Sequence, residues 1–198
     1  MSAQPYILLR DEQFELFDPN PDLIDYDEMV STLAKICRYN GRCSDFYSVA
    51  QHSVHCAELC GSLLPDEPLA AMACLLHDAA EYLMGDVVTS LKRVTYYRND
   101  VDLVLFEQAE AIVGKCISEK LGWPVWHEIV PTVDKAMLYR ELLDLTDIDP
   151  RTRQVPHGDL ALALPRIQPQ PWQRAEQEFH QKYAQLASCL TSPPEHHQ

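Results

Sequence analysis

Four side chains in this sequence, His52, His77, Asp78 and Asp134, supply two imidazoles and two carboxylates. A mixed nitrogen and oxygen set of this kind suits one octahedral divalent cation, with positions left for water and substrate. Each residue also has a plainer reading when taken singly. A lone histidine on a core-facing stripe is more often a satisfied core residue than a ligand, and a buried carboxylate is often simply paired. Four such groups on inward faces weaken that reading, because a bare buried carboxylate costs several kcal/mol or more.

The elements that must carry these residues are helices. Apolar residues recur at helical spacing along nearly the whole chain, and only residues 6–9 alternate in the manner of a strand,. A first helix is expected over 27–37, burying Met29, Leu33 and Ile36, before a loop at Asn40-Gly41. A capping-box signature, Ser48 to Gln51, opens a second helix that reaches about residue 64. Val49, His52, Cys56, Leu59 and Leu63 share one face of it, with His55 turned toward the edge. Pro68 opens a third helix, expected to run to about Gly85. It is apolar over 69–76, then meets His77 and Asp78, with Glu81 one turn beyond on the His77 face. A fourth is expected over about 100–121, ended by Gly122 with Pro124 beyond. The fifth starts at Pro131-Thr132 and runs to Leu145; on it Asp134 heads a stripe of Met137, Leu138, Glu141 and Leu145. Prolines at 150, 156, 165, 169 and 171 make 147–171 an extended connector,. Trp172, Ala175, Phe179, Tyr183, Leu186 and Leu190 form the stripe of a final amphipathic helix over 172–190, and the tail from Ser192 on is expected to be disordered. The expectation is an all-α fold: one domain over 1–198, a compact bundle of about six to eight helices whose metal-binding core spans about 25–145.

Composition narrows the partners. The chain has 198 residues, room for one compact domain, and 16 Lys+Arg against 30 Asp+Glu give a net charge of −14,. That field repels nucleic-acid polymers and anionic membranes. A small anionic metabolite stays open, since a bound cation and a few local basic residues can reverse the potential inside one pocket. No apolar run approaches the ~18 residues of a membrane span, and Asp11 and Glu12 stand where a signal peptide would be basic then apolar, so the cytoplasm is the default compartment,. Seven cysteines without a C-x-x-C pair fit reduced thiols, and Cys56 and Cys60 read as core filler rather than metal ligands,. Neither a glycine-rich phosphate loop nor a G-x-S-x-G elbow occurs.

The order H…HD…D, here His52, His77-Asp78 and Asp134, resembles the HD superfamily of metal-dependent phosphohydrolases. Longer words carry the resemblance further: Ile36-Cys37-Arg38-Tyr39, then Phe46-Tyr47-Ser48-Val49-Ala50-Gln51-His52, then His77-Asp78-Ala79-Ala80-Glu81 continuing through Gly85-Asp86 to Lys92. These resemble the small HD proteins that include bacterial 5′-deoxynucleotidases. In the Ser-Val-Ala-Gln-His stretch they are closer to prophage-encoded relatives and phage dATP triphosphohydrolases. Three departures stand out. The deoxynucleotidases have an acidic residue at the place of Gln51. Only His127 lies between the HD pair and Asp134, which favours one metal over two. Glu81-Tyr82 breaks the acidic pair of the guanosine-tetraphosphate hydrolases.

The resemblance implies a helical HD domain that cleaves 2′-deoxynucleotides at the 5′-phosphate by attack of a metal-bound or metal-adjacent water. The phage-type release of intact triphosphate from a deoxynucleoside triphosphate is the alternative, and a non-catalytic nucleotide sensor is the alternative from another class. It implies one divalent ion (Mn, Co, Mg, Zn or Fe) on His52, His77, Asp78 and Asp134. Glu81 would orient or deprotonate the water, and Arg38 would clamp the phosphate, a task suited to a planar five-donor cation. Tyr39 would lie near the sugar, Asp86 near a ribose hydroxyl, and Lys92 near further phosphates. The partner implied is a small deoxynucleotide, with no nucleic-acid polymer and no membrane, and a homo-oligomer remains open.

Overall fold

The structure, a computed structural model, describes residues 6–9, 11–98 and 103–191. Strands β1 (Tyr6–Leu9) and β2 (Glu12–Glu15) pair antiparallel, Tyr6 opposite Glu15 and Leu9 opposite Glu12. Helix α1 (Tyr26–Lys35) is capped by Asp25, whose carboxylate accepts the Glu28 N–H at 3.0 Å,. A short 3-10 turn, Arg38–Gly41, follows. Helix α2 (Val49–Leu63) starts at Ser48, whose hydroxyl accepts the Gln51 N–H at 3.1 Å. Helix α3 (Pro68–Leu76) has proline at its first position, where the missing N–H is harmless,. The short α4 (Glu81–Met84) and α5 (Thr89–Lys92) lead into an antiparallel pair, β3 (Tyr96–Arg98) and β4 (Leu103–Leu105). Then come α6 (Phe106–Leu121), α7 (Val130–Leu145), α8 (Gly158–Ala163) and α9 (Trp172–Thr191).

The all-α expectation holds: six helices have nine residues or more, and the sheets among the described residues are two-stranded. Helix α2 is the centre, packed against α1, α3, α7 and α9. Ten of its residues are buried, His52 among them, so this histidine sits inside the bundle rather than on it. Helix α9 buries Ala175, Phe179 and Leu186 against that centre. No described helix is long and apolar enough to cross a membrane.

Four boundaries differ from expectation. Helix α1 ends at Lys35, and Ile36 begins the extended backbone that pairs Cys37 with Ser48. Helix α6 begins at Phe106 rather than near 100; residues 100–102 of the expected helix lie outside the described residues. The preceding stretch forms a hairpin, consistent with its aromatic and β-branched residues Tyr96, Tyr97 and Val104,. The connector after α7 holds the short α8 between Pro156 and Pro165, which five prolines permit because none falls inside it. The tail from Ser192 lies outside the described residues.

The fourth difference bears on the site. The third helix does not run on to Gly85: it stops at Leu76, and the chain tightens to i→i+3 hydrogen bonds, Ala79 N–H to Leu76 O at 2.9 Å, Glu81 N–H to Asp78 O at 3.0 Å and Tyr82 N–H to Ala79 O at 3.2 Å. Ala79 and Ala80, 1% and 4% exposed, let this turn sit inside the bundle. With about three residues per turn, the residue that shares a face with Glu81 is Asp78, not His77.

Candidate functional site

The two histidines are turned by what lies behind them. His52 Nδ1 is 2.5 Å from Glu141 Oε1, and His77 Nδ1 is 2.7 Å from the Cys74 carbonyl oxygen. Both partners only accept, so each Nδ1 carries a hydrogen and each Nε2 is turned toward the cluster, where it presents a lone pair once the ring is neutral. Burial opposes the charged rings, but the neighbouring carboxylates raise both imidazole pKa values against it. The two Nε2 atoms lie 3.3 Å apart. Asp78 Oδ2 is 3.2 Å from His77 Nε2 and 3.5 Å from His52 Nε2, and Asp134 Oδ1 is 3.5 Å from His52 Nε2. The structure therefore brings together all four residues from three parts of the chain. Side-chain exposure rises from 0% at His52 through 8% at His77 and 19% at Asp78 to 41% at Asp134, so the cluster is anchored in the core and opens outward.

It opens into a cavity of about 250 Å³ whose wall includes Arg38, Tyr39, Glu81, Asp86, Lys92 and Asp134. Four carboxylates (Asp78, Glu81, Asp86, Asp134) face two cations there. Burial opposes ionisation of Asp78, but His77, His52 and Arg38 hold its pKa well below the usual carboxylate range. Glu81 goes the other way: burial, Asp78 and Asp86 raise its pKa well above the ordinary value, against Lys92 and Arg38. Its Oε1 accepts from Lys92 Nζ at 3.3 Å, and its buried Oε2 has no hydrogen-bond partner among the described residues. A more apolar cavity of about 300 Å³ lies between α2 and the connector, against Leu59, Met137 and Ile167, and none of the nine predicted site residues lines it.

Arg38 and Tyr39 come from the 3-10 turn, and their backbone is unusual. Tyr39, Asn40 and Gly41 take φ of 60°, 52° and 75°, three left-handed residues in succession, which a side-chain-bearing residue adopts at a cost of roughly 1 to 2 kcal/mol,. Asp86 accepts the Tyr39 N–H at 3.2 Å and so pins the turn; the carboxylate expected near a sugar hydroxyl has one oxygen engaged with the backbone. Arg38 Nε donates to Glu141 Oε2 at 3.2 Å, Arg38 Nη1 to Asp78 Oδ2 at 3.4 Å, and the Tyr39 hydroxyl to Glu141 Oε2 at 2.5 Å.

Glu141 is the residue that sequence reasoning did not assign a role. It is 0% exposed and meets His52, Arg38 and Tyr39 at once. Burial opposes its charge, but Arg38 and His52 bring its pKa down to about 2. The signal was present, because Glu141 follows Asp134 by two turns on the same stripe.

Other residues fall differently from expectation. Lys92 reaches the cavity wall, but its ammonium is engaged by Glu81 and, at 2.6 Å, by Glu110. Gln51, 1% exposed, completes only half of a capping box: its side chain donates to the Gln168 carbonyl at 2.8 Å and accepts the Gln170 N–H at 3.1 Å. It ties the connector to α2 and does not line the cavity. Cys56 is more than filler, since its sulfur lies 3.5 Å from His52 Nε2, and the buried group His52, Cys56 and His77 could hold a metal ion. Burial raises the Cys56 thiol to about 11, which leaves it protonated and a weak donor beside the imidazoles,. His127 lies near Glu67, at 3.9 Å.

No family model matches the chain. The uncharacterized protein YfdR of Escherichia coli is 37% identical over 127 residues, 64% of this chain and 64% of that protein. An uncharacterized protein of Rhodobacter capsulatus is 38% identical over 88 residues, 43% of this chain and 45% of that one. The matched segment thus spans just under two thirds of the first relative and under half of the second.

Proposed function

We propose that the protein is a metal-dependent phosphohydrolase that removes the 5′-phosphate of small nucleotides, 2′-deoxynucleotides in preference. One observation carries this reading: His52 Nε2 lies 3.3 to 3.5 Å from His77 Nε2 and from a carboxylate oxygen of Asp78 and of Asp134, and those two carboxylates line a cavity that also holds an arginine. Donors about 2.0 to 2.2 Å from a common ion are ~3.0 to 3.5 Å from one another, so the set fits one divalent cation held by His52, His77, Asp78 and Asp134. The wall charge agrees, since four carboxylates against two cations would repel a phosphate without a divalent ion,. When bound, the cation supplies Lewis-acid polarisation of a phosphoryl oxygen and acidifies water.

The chain's own residues supply the rest. Glu81 is positioned to take a proton from an attacking water: its buried Oε2 has no hydrogen-bond partner among the described residues, and a divalent cation on the neighbouring ligands would favour the ionised form that burial, Asp78 and Asp86 oppose,. Arg38, held by Glu141 and Asp78, presents its outer guanidinium face to a phosphate,. Tyr39 forms the wall beside it, and Asp86 keeps that wall in place. The engagement of Lys92 by two carboxylates favours monophosphate over triphosphate chemistry, because among the described residues lining that cavity Arg38 and Lys92 are the cations and Lys92 is already neutralised. The HD-type phosphohydrolase resemblance of the sequence points the same way.

The test is incubation with Mn²⁺, Co²⁺ or Mg²⁺ and a panel of nucleotides, with products resolved by chromatography. Inorganic phosphate from a deoxynucleoside monophosphate is the expected product. Intact triphosphate from a deoxynucleoside triphosphate would replace this activity with the phage-type one, and binding without any product would make the protein a sensor.

A further inference from the structure

Resting on the proposed function, we infer that Glu141 is a positioning residue that couples the metal half of the site to the phosphate half. Its two oxygens divide the work. Oε1 accepts from His52 Nδ1, which fixes the tautomer and aims Nε2 at the cluster,. Oε2 accepts from Arg38 Nε and from the Tyr39 hydroxyl, which fixes both residues on the cavity wall. The carboxylate is 0% exposed, so these partners rather than bulk solvent satisfy it.

The arrangement goes beyond a satisfied buried charge. A carboxylate that served packing alone would need one cation; this one reaches an imidazole on α2 and two residues of the left-handed turn, and none of the three makes the described bond to any other carboxylate through the same atom. The backbone of the turn is held by the Arg38 N–H on the Tyr47 carbonyl at 2.9 Å, the Arg42 N–H on the Tyr39 carbonyl at 3.0 Å and the Tyr39 N–H on Asp86, and Glu141 ties its two side chains to α7. Movement of the Glu141 side chain therefore shifts a metal-facing imidazole and a phosphate-facing guanidinium together. The amide of a Glu141→Gln variant cannot reproduce this, because one of its two heavy atoms donates where the carboxylate accepts.

The experiment measures Mn²⁺ binding directly, by electron paramagnetic resonance or calorimetry, on the wild type, Glu141→Gln and Tyr39→Phe, with circular dichroism as the check on folding. Glu141→Gln is expected to weaken Mn²⁺ by about 10- to 100-fold and to raise KM for the nucleotide in the same protein. The downfield Nδ1–H proton resonance of His52, expected in the wild type, should shift or vanish in it; a purely structural role would not move that signal in a folded variant. Tyr39→Phe removes a partner of Oε2 only, yet should weaken Mn²⁺ on the order of threefold through the shared carboxylate. This second variant carries the test if Glu141→Gln does not fold. Equal Mn²⁺ affinity in the wild type and Glu141→Gln, or in the wild type and Tyr39→Phe, overturns the coupling and leaves the proposed function standing. A wild type that binds no Mn²⁺, Co²⁺ or Mg²⁺ overturns the proposed function itself.

Discussion

His52 and His77 face each other through Nε2 at 3.3 Å, each with its Nδ1 turned away to an acceptor. Two lone pairs so directed repel unless a proton or a cation lies between them. A divalent ion should therefore stabilise the fold: at a hundred times its Kd the gain is about 2.7 kcal/mol, or a rise in Tm of roughly 5 to 10 °C for a domain of this size. Differential scanning fluorimetry with and without Mn²⁺ reads this directly. Asp78→Ala should abolish the rise together with hydrolysis, and a variant that keeps both would remove Asp78 from the ligand set.

Glu81 and Lys92 make a prediction about pH. Glu81→Gln should retain the cation and lose ~10² to 10⁴ in kcat. Because Lys92 lowers the raised pKa of Glu81, Lys92→Met should move the acidic limb of the kcat profile to higher pH, on mono- and triphosphates alike. The same shift has a sign for stability. A carboxyl whose folded pKa is raised contributes stability that is present below its unfolded value and lost as pH rises through the folded one. Glu81→Gln should therefore gain in Tm relative to the wild type as pH increases, and a Tm difference that does not vary with pH would contradict the assignment.

Gln51 predicts a stability effect without a specificity effect. Its side chain satisfies the Gln168 carbonyl and the Gln170 N–H, and Gln51→Ala leaves both without a partner at a cost of roughly 2 to 4 kcal/mol. Thermal unfolding should show the loss. The ratio of kcat/KM between nucleotides should stay within twofold or so; a changed ratio would mean that Gln51 reaches the substrate.

The Gln51 result also marks where the sequence was legible. Long helices could be read from period and end signals, as at Ser48, Pro68 and Gly122, because those signals are local. The cluster of His52, His77, Asp78 and Asp134 was legible because polar residues on inward stripes have few physical explanations. What escaped reading depended on distant partners. Gln51 looks like a capping residue until the connector arrives, and Lys92 looks like a free cation until Glu110 does. The tightening after Leu76, which moves Glu81 from the His77 side to the Asp78 side, is set by packing around Ala79 and Ala80 and leaves no mark on the apolar period.

The sugar supplies the last prediction. Tyr39 stands beside Arg38 in the cavity wall, with its ring held by the hydroxyl bond to Glu141 and its backbone by Asp86. On the proposed function, a ring so fixed would exclude an added 2′-hydroxyl by contact, a discrimination of ~1 to 3 kcal/mol. The ratio of kcat/KM for dAMP over AMP should therefore lie between about 5 and 150, and should collapse toward one in Tyr39→Ala. Equal efficiency on both substrates in the wild type would remove the ring from sugar selection.

The hub at Glu141 also dictates when the site can exist during synthesis and folding. Its partners Arg38 and His52 lie 103 and 89 positions earlier in the chain. Contacts across that much sequence carry the loop-closure cost of non-local pairing, and they cannot form before α7 itself is in place. A nascent chain that has formed α1 to α6 thus carries both histidines, the arginine and the first aspartate, yet has no assembled centre. The cluster is complete only once α7 has brought Asp134 and Glu141 against His52.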